Sequence, residues 1–277
     1  MAVLPYAAGM SDGSAQPKLD EDIGKVTKVD LSPLGHRPYS CPEVVPAWWR
    51  LRGTQASVTG LFDTIYLVRR TRAKEKNQST RGRLSGDAQD LLRSAIVFTS
   101  AGLDAALAAL LEGAVPILAL HNAVARGKFD RYIELVINAT GAPTEFLEAL
   151  KHTDPRPQLV DVYISGLTKA SFQGSGDVKD RACASLGIGN QQVPRTRIAS
   201  LDLFFTARND IAHRLDQLPQ AALDAAPSRQ QRGQDDVGRM CDEVLLLVRD
   251  IIKATASNIA ACRSRPTQQA AQATSQS

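Results

Sequence analysis

Three residues whose side chains can move protons or bind anions lie close together in the chain: Arg208, Asn209 and His213. An imidazole titrates near neutral pH and can take up or release a proton, and a guanidinium binds oxyanions through charged hydrogen bonds. Asn209 and His213 are four residues apart, so on a helix they would share one edge. The spacing therefore predicts a polar cluster that combines proton transfer with the stabilisation of negative charge.

The stretch that carries this cluster is predicted to be one helix. Residues 200–214 contain neither Pro nor Gly, and their apolar side chains recur at spacings of three and four. At about 100° per residue, Arg208 falls in the middle of the apolar stripe. A lone buried guanidinium is very costly, so Arg208 needs a partner, a cleft or a subunit interface. Asp210 and Arg214 lie on the opposite side of the predicted helix, where we expect a solvated ion pair. The stripe consists of Leu201, Phe204, Phe205, Ile211, Ala212 and Leu215.

A second predicted helix, over residues 87–120, supplies a partner for Arg208. Residues 94–111 within it are apolar or small except for one charge, Asp104. The helix is either continuous or broken near Gly113 and Pro116. The apolar stretch is nearly long enough to cross a bilayer, but a carboxylate at its middle is expensive there. We therefore expect a core helix of a soluble protein and no contact with a membrane.

The rest of the chain reads as further helices joined by loops, so the predicted fold class is all-α. Proline-rich residues 1–50 show no period, and the polar end of the chain predicts disorder. We expect an N-terminal arm with a short helix and a basic linker over residues 1–84, a helical domain over 85–262, and a disordered tail over 263–277. The other predicted helices are 55–70, 128–138, 144–151, 159–167, 178–186 and 235–262, with loops at 154–157 and 219–233.

Composition and missing motifs exclude several classes of protein. The chain has no phosphate-binding Gly-Lys-Ser/Thr loop, no H-E-x-x-H and no Gly-x-Ser-x-Gly elbow. His36, His121 and His152 are isolated, so we predict no metal and no other cofactor. Its four cysteines show no CxxC spacing and its N-terminus is not a signal peptide, which predicts a cytoplasmic protein with reduced thiols. The net charge of +4 permits contact with a polyanion. The basic residues 69–83 are either a strap over nucleic acid or a solvated linker.

The segment Arg208–His213, Arg-Asn-Asp-Ile-Ala-His, resembles the R-x4-H signature of HEPN domains, and its surroundings resemble the RiboL-PSP type of that family. In that type an early helix carries an acidic residue in an apolar run, here Asp104. A Ser-Phe segment, here Ser171-Phe172, leads through a short helix into the signature helix, and a long apolar helix, here residues 244–259, ends the domain. The resemblance covers about residues 87–262 and leaves 128–167 unmatched.

The resemblance implies a helical bundle that acts as a metal-independent endoribonuclease, in a toxin or in phage defence. RNA can be cut without a metal because its own 2′-OH attacks the adjacent phosphorus, which gives a 2′,3′-cyclic phosphate and a 5′-hydroxyl. In that reaction His213 would move protons and Arg208 would stabilise the charged transition state. Asn209 would hold a phosphate oxygen or fix the His213 tautomer. Asp104 would orient Arg208 or favour the protonated form of His213.

Geometry and the family both predict a homodimer. Arg208 and His213 lie about 140° apart around the helix, so one protomer makes an awkward site, and two copies across a two-fold axis would form a composite one. RNA is then the expected substrate, and an antitoxin or other regulatory protein is a partner that the resemblance allows. Two alternatives stay open. In the first, Arg208 and Asp104 form a structural ion pair and His213 caps its helix. In the second, the chain is a non-catalytic HEPN-like module that binds nucleotide or protein.

Overall fold

The computed structural model describes residues 26–76, 84–218 and 228–274 of the chain. Over these ranges it contains helices and no β-strand, with one isolated antiparallel bridge between Gln217 and Arg229. This confirms the predicted all-α class. The helices are α1 (Val45–Lys76), α2 (Gly86–His121), α3 (Ala123–Asn138), α4 (Thr144–Leu150), α5 (Pro155–Thr168), α6 (Ser175–Asp177), α7 (Arg195–Ala199), α8 (Asp202–Arg214) and α9 (Gln234–Thr274). A 3-10 helix, Pro42–Val44, precedes α1, and a π-helix, Val178–Cys183, continues α6.

The central element is α2, which packs against α1, α3, α5, α8 and α9. It is continuous through Gly113 and Pro116, the positions where a break was predicted as one alternative. Gly113 is a point of close packing, since a Cβ there would lie 2.3 Å from the Glu43 carbonyl oxygen. Pro116 removes one helical hydrogen bond, but Val115 and Leu118 on either side of it are fully buried. Burial of those side chains offsets the lost bond.

In the part of the chain that the structure describes, α2 is the one helix long and apolar enough to cross a membrane. Of its most apolar stretch, 56% is buried inside the protein, as in the core helix that the sequence predicts. The absence of membrane contact itself stays a prediction.

Prolines account for two wrong predictions of local structure. The first helix starts at Val45 and not at 55, and the predicted loop at 154–157 is the first turn of α5. Pro42 opens the 3-10 helix, and Pro155 occupies the first position of α5. At those positions the missing N–H has no helical partner to lose, so Pro begins a helix and does not break it. Trp48, placed in an irregular arm by the sequence, is instead a buried residue of α1.

The N-terminal segment 26–41 is irregular, as predicted, but it belongs to the same core as the helices. The backbone N–H and the hydroxyl of Ser32 both donate to Asp242 on α9, each at 2.7 Å. The Gln55 side chain donates to the Ser32 carbonyl at 2.7 Å, and Leu34 is buried in the main cluster. Residues 26–76 therefore pack onto the helical domain. The first 25 residues of the predicted arm and residues 77–83 of the basic stretch lie outside the described residues.

The ends of the last two helices differ from the prediction. The predicted signature helix begins at Asp202 and not at Ser200, because Ser200 and Leu201 form a turn after the separate short helix α7. α9 runs to Thr274, past the predicted end at residue 262. The predicted disorder of the tail from 263 stays a prediction. Residues 219–227 of the predicted loop and residues 275–277 lie outside the described ranges.

Candidate active site

The signature helix α8 presents a narrower apolar face than the sequence predicts. Phe204, Phe205 and Ile211 are buried, together with Ala207. Ala212 is exposed, and Leu215 is 61% exposed. The difference has a local cause, because the helix ends at Leu215 in a left-handed conformation with φ of 52°. The face that was predicted to be buried along its length is therefore open at its C-terminal end, where His213 lies.

Arg208 is half-buried beside this apolar face, and its partner is its neighbour. Its Nη1 donates to the Asn209 side-chain oxygen at 2.9 Å, and both residues are partly shielded from solvent. Asn209 therefore holds the guanidinium, whereas its spacing had suggested a place beside His213. His213 is exposed in the last turn of α8 and has no hydrogen bond or ion pair to any described residue. The predicted Asp210–Arg214 ion pair is present on the outside of α8, at 3.9 Å.

Asp104 is half-buried on α2 and accepts a hydrogen bond of 2.8 Å from the backbone N–H of Phe172. Burial raises the pKa of Asp104 above its ordinary value; the Phe172 N–H and the charges of Arg208 and Arg181 act in the opposite direction. Arg208 is thus near enough to act electrostatically on Asp104, but within the described ranges no ion pair of 4 Å or less joins them. The direct Asp104–Arg208 ion pair of the structural alternative is not formed.

A second arginine that the sequence did not single out stands beside Asp104. Arg181, on the π-helix, stacks over the Phe172 ring at 4.1 Å and donates to the Ser171 carbonyl at 2.8 Å. Its Nε is buried and has no acceptor among the described residues. Nothing in the sequence singles out Arg181 beyond its place in a predicted short helix, because Asp104 is far away along the chain and Phe172 lies in an irregular segment. The Ser-Phe segment thus brings α2, the π-helix and Arg208 of α8 to one place.

A buried ionic network fixes the end of α8. Asp216, 2% exposed, accepts from Arg93 Nε at 3.0 Å and from Arg232 at 2.8 and 2.6 Å. The Asp216 N–H also donates to the Asp210 carbonyl at 3.0 Å, which closes the helix. Arg93 lies on α2 and Arg232 lies just before α9, so the carboxylate ties three segments together. This network was not predicted, since its members are far apart in the sequence, and it holds the turn that carries His213.

Arg208 and His213 do not line the main cavities of the described residues. Cavities of about 690, 320, 320 and 430 Å³ are present there, and neither residue lines one of these. The described residues also hold no group of three or more His, Cys, Asp or Glu side chains that fits a metal ion. The arrangement offers a shielded, permanently charged arginine and an accessible histidine at the surface of one helix.

The chain matches no protein-family model, no curated protein and no solved structure. The resemblance to HEPN domains therefore depends on the residues named above. Of these, the structure places Arg208, Asn209 and Asp104 in one neighbourhood and leaves His213 exposed at the end of the same helix. Their catalytic roles stay predictions.

Asp104→Asn separates the role of this carboxylate in stability from its role in activity. The amide keeps an acceptor for the Phe172 N–H and replaces a carboxyl group whose pKa is raised by burial. The folded state of the wild type binds a proton more tightly than the unfolded state, so its stability falls as pH rises from about 4 through the folded pKa. We expect the variant to lack that loss, to melt no lower than the wild type at neutral pH, and to be slower in any RNA cleavage that the wild type shows. Thermal unfolding across pH and RNA cleavage measure the two effects.

A melting temperature of Asp104→Asn well below that of the wild type at neutral pH would show that the charge of Asp104 is structural. Asp161→Asn is the matched control, because this exposed carboxylate on α5 has no hydrogen bond or ion pair to a described residue. It should change neither the pH profile of unfolding nor the rate of cleavage.

Proposed function

We propose that this protein is a metal-independent endoribonuclease of the HEPN type. The observation that carries the proposal is the half-buried Arg208, held by Asn209 and within electrostatic reach of Asp104, on the helix whose end presents an exposed His213. A guanidinium kept out of bulk water and oriented by a neighbour stabilises developing negative charge more strongly than a solvated one. An accessible imidazole is a group that can transfer protons near neutral pH.

The reaction uses the substrate's own nucleophile. A base, His213, takes the proton of the RNA 2′-OH, and the 2′-oxygen forms a bond to the adjacent phosphorus. The bond from phosphorus to the 5′-oxygen breaks, and an acid returns a proton to that oxygen. Arg208 stabilises the negative charge on the phosphorane oxygens during this exchange. In a dimer, two histidines are available, so one acts as base and the other as acid.

The direct test is incubation of the purified full-length chain with RNA in the presence of a chelator. We expect cleavage to fragments that carry a 2′,3′-cyclic phosphate and a 5′-hydroxyl, identified by mass spectrometry. An oligonucleotide with one 2′-deoxy residue at the cleavage position should resist at that position alone. A requirement for a divalent metal, or cleavage of DNA at the same rate, would contradict the mechanism. No cleavage by folded protein, even at stoichiometric concentration, would favour the non-catalytic module.

The surface around the end of α8 supports a composite site in a homodimer. Arg93, early in α2, contacts Asp216 just after α8, and Asp104, later in α2, lies near Arg208 within α8. Helices α2 and α8 therefore run antiparallel. Val97 and Phe98 lie on α2 between Arg93 and Asp104. They are 39% and 53% exposed, and Leu215 is 61% exposed. A second copy packed on this apolar surface would cover it and bring two Arg208–His213 pairs together.

Phe98→Glu tests the dimer. A charge placed in an apolar interface cannot be solvated there, so we expect a monomer by light scattering and a loss of RNA cleavage of about a hundredfold at the same concentration. Ile137→Glu, on the 60% exposed Ile137 of α3, is the matched control and should leave both properties unchanged. A Phe98→Glu monomer with full activity would contradict the composite site.

A free endoribonuclease of this kind would damage its host. We therefore propose a role as a toxin or phage-defence effector in the cytoplasm, restrained by an antitoxin or other regulatory protein. Expression of the wild-type chain in a bacterial host should arrest growth, and expression of His213→Ala to the same level should not. Equal toxicity of the two chains would contradict this role.

A further inference from the structure

The largest of the cavities described above is separate from Arg208 and His213. It has a volume of about 690 Å³ and lies between α3, α5 and the segment 173–181. This volume is within the range of roughly 300–1,000 Å³ found for small-molecule sites. Its wall combines two tyrosine rings with basic and amide side chains. The residues used below are Lys128, Arg131, Tyr132, Tyr163, Gln173 and Arg181.

Tyr132 forms a fixed aromatic wall of the cavity. Its ring centroid lies 4.8 Å from that of Tyr163 and 6.3 Å from that of Phe146. Tyr163 is itself held by a hydrogen bond of 2.7 Å between its hydroxyl and that of Ser185. The half-buried Tyr132 thus cannot turn away easily from the cavity that it lines. A rigid aromatic face of this kind stacks on a nucleobase with little loss of entropy.

Two cations beside Tyr132 are free to bind an anion. Lys128 lies one helical turn before Tyr132, and Arg131 is adjacent to it. Neither has a hydrogen bond or ion pair to a described residue. The carboxylates at the opposite wall are already engaged. Asp177 accepts from the Gln173 N–H at 2.9 Å, and Asp180 lies 3.3 Å from Lys179. The α3 side of the cavity therefore offers positive charge that suits a phosphate.

Arg181 joins this cavity to the candidate active site. Its side chain lines the cavity, and its Nε is a buried donor without an acceptor among the described residues. The same guanidinium acts electrostatically on Asp104, as Arg208 does. Through Arg181 the cavity is therefore connected electrostatically to the carboxylate that also feels the charge of Arg208.

We propose that this cavity binds one nucleotide of the RNA substrate, with its base stacked on Tyr132 and a flanking phosphate at Lys128 and Arg131. The Gln173 side chain, exposed at the opening and without a hydrogen bond to a described residue, reads the edge of the base. The inference rests on the proposed function in that the bound nucleotide belongs to the RNA that is cleaved. The cavity then sets the sequence preference of the nuclease.

The test measures binding and not cleavage. A fluorescent RNA oligonucleotide with 2′-O-methyl groups cannot be cut, and its affinity for the full chain is measured by anisotropy at several salt concentrations. We expect Tyr132→Leu to weaken binding at least about fivefold and Tyr132→Phe to bind like the wild type. Lys128→Gln combined with Arg131→Gln should weaken binding and lower the slope of log affinity against log salt by about one to two. Arg126→Gln, on an exposed arginine of α3 that does not line the cavity, is the control and should change neither.

Each variant is first shown to be folded by its melting curve. Wild-type affinity and salt slope in both Tyr132→Leu and the double variant would overturn the assignment. Binding of free nucleoside monophosphates that depends on Tyr132, with oligonucleotide binding that does not, would also overturn it, because the cavity would then serve a free ligand. Where the wild type cleaves RNA, Gln173→Ala should shift the preferred cleavage positions. If the wild type binds through Tyr132 but never cleaves, the proposed nuclease fails and the cavity assignment stands.

Discussion

Replacement of His213 or Arg208 by alanine is expected to abolish RNA cleavage and leave the protein folded. Loss of a positioned proton-transfer group costs about a hundredfold to ten-thousandfold in rate, and loss of one oxyanion-binding group about a hundredfold to a thousandfold. His213 is exposed and makes no hydrogen bond or ion pair with a described residue, so His213→Ala should not change the melting temperature. Arg208 is half-buried and bonded to Asn209, so Arg208→Ala should cost about 1 kcal/mol of stability. Initial rates on a defined RNA and thermal unfolding measure both quantities.

Two matched substitutions show whether the effect belongs to the site. His152 is an exposed histidine before α5, and Arg214 is an exposed arginine one residue after His213. His152→Ala and Arg214→Ala should both cleave RNA like the wild type. Arg208→Lys keeps the charge but loses the planar pair of donors, so we expect only partial recovery. If Arg208→Ala fails to fold while His213→Ala stays fully active, the two residues are structural and the proposed nuclease is wrong.

The helices that carry the site follow from local sequence, and this is why they were predicted. Hydrophobic periodicity places Arg208 within an apolar stripe of α8, and the structure leaves it half-buried there. The one charge of the long apolar helix, Asp104, likewise lies within electrostatic reach of Arg208. Both conclusions needed only the spacing of side chains along one helix and the high cost of an unpaired buried charge.

The remaining parts of the site depend on contacts that spacing does not encode. Arg181 comes within electrostatic reach of Asp104 because the Ser-Phe segment contacts both: the Phe172 N–H donates to Asp104, and Ser171 and Phe172 hold the Arg181 guanidinium. The prolines led to a different error. Pro42 and Pro155 begin helices at positions where irregular structure was predicted. The partner of Asn209 was also missed. Four-residue spacing places it near His213, but its oxygen bonds the side chain of the adjacent Arg208.

Asp216→Ala should have the largest effect on stability. The Asp216 carboxylate is 2% exposed, and it is the acceptor for both Arg93 and Arg232, which are 5% and 9% exposed. Without it, Arg232 has no carboxylate partner among the described residues, and Arg93 keeps only Asp90 at 2.9 Å. Removal of one partner from a buried ionic network costs about 3–5 kcal/mol. The backbone at Asp216 is left-handed, with φ of 61°, and alanine is less suited to it than aspartate or asparagine. Denaturant unfolding measures the loss of free energy.

The matched control for this prediction is Asp210→Ala, since Asp210 forms a solvent-exposed pair with Arg214 at 3.9 Å. Removal of a surface pair changes stability by about 0–1 kcal/mol. Asp216→Asn fits the left-handed backbone but lacks the charge, so it should fall between Asp216→Ala and the wild type. Amide hydrogen exchange should rise at 208–216 in Asp216→Ala and Asp216→Asn, because Asp216 holds the end of α8 against α2 and the segment before α9. Cleavage would then fall through loss of His213 positioning and return as the temperature is lowered, which distinguishes it from the temperature-independent loss in His213→Ala.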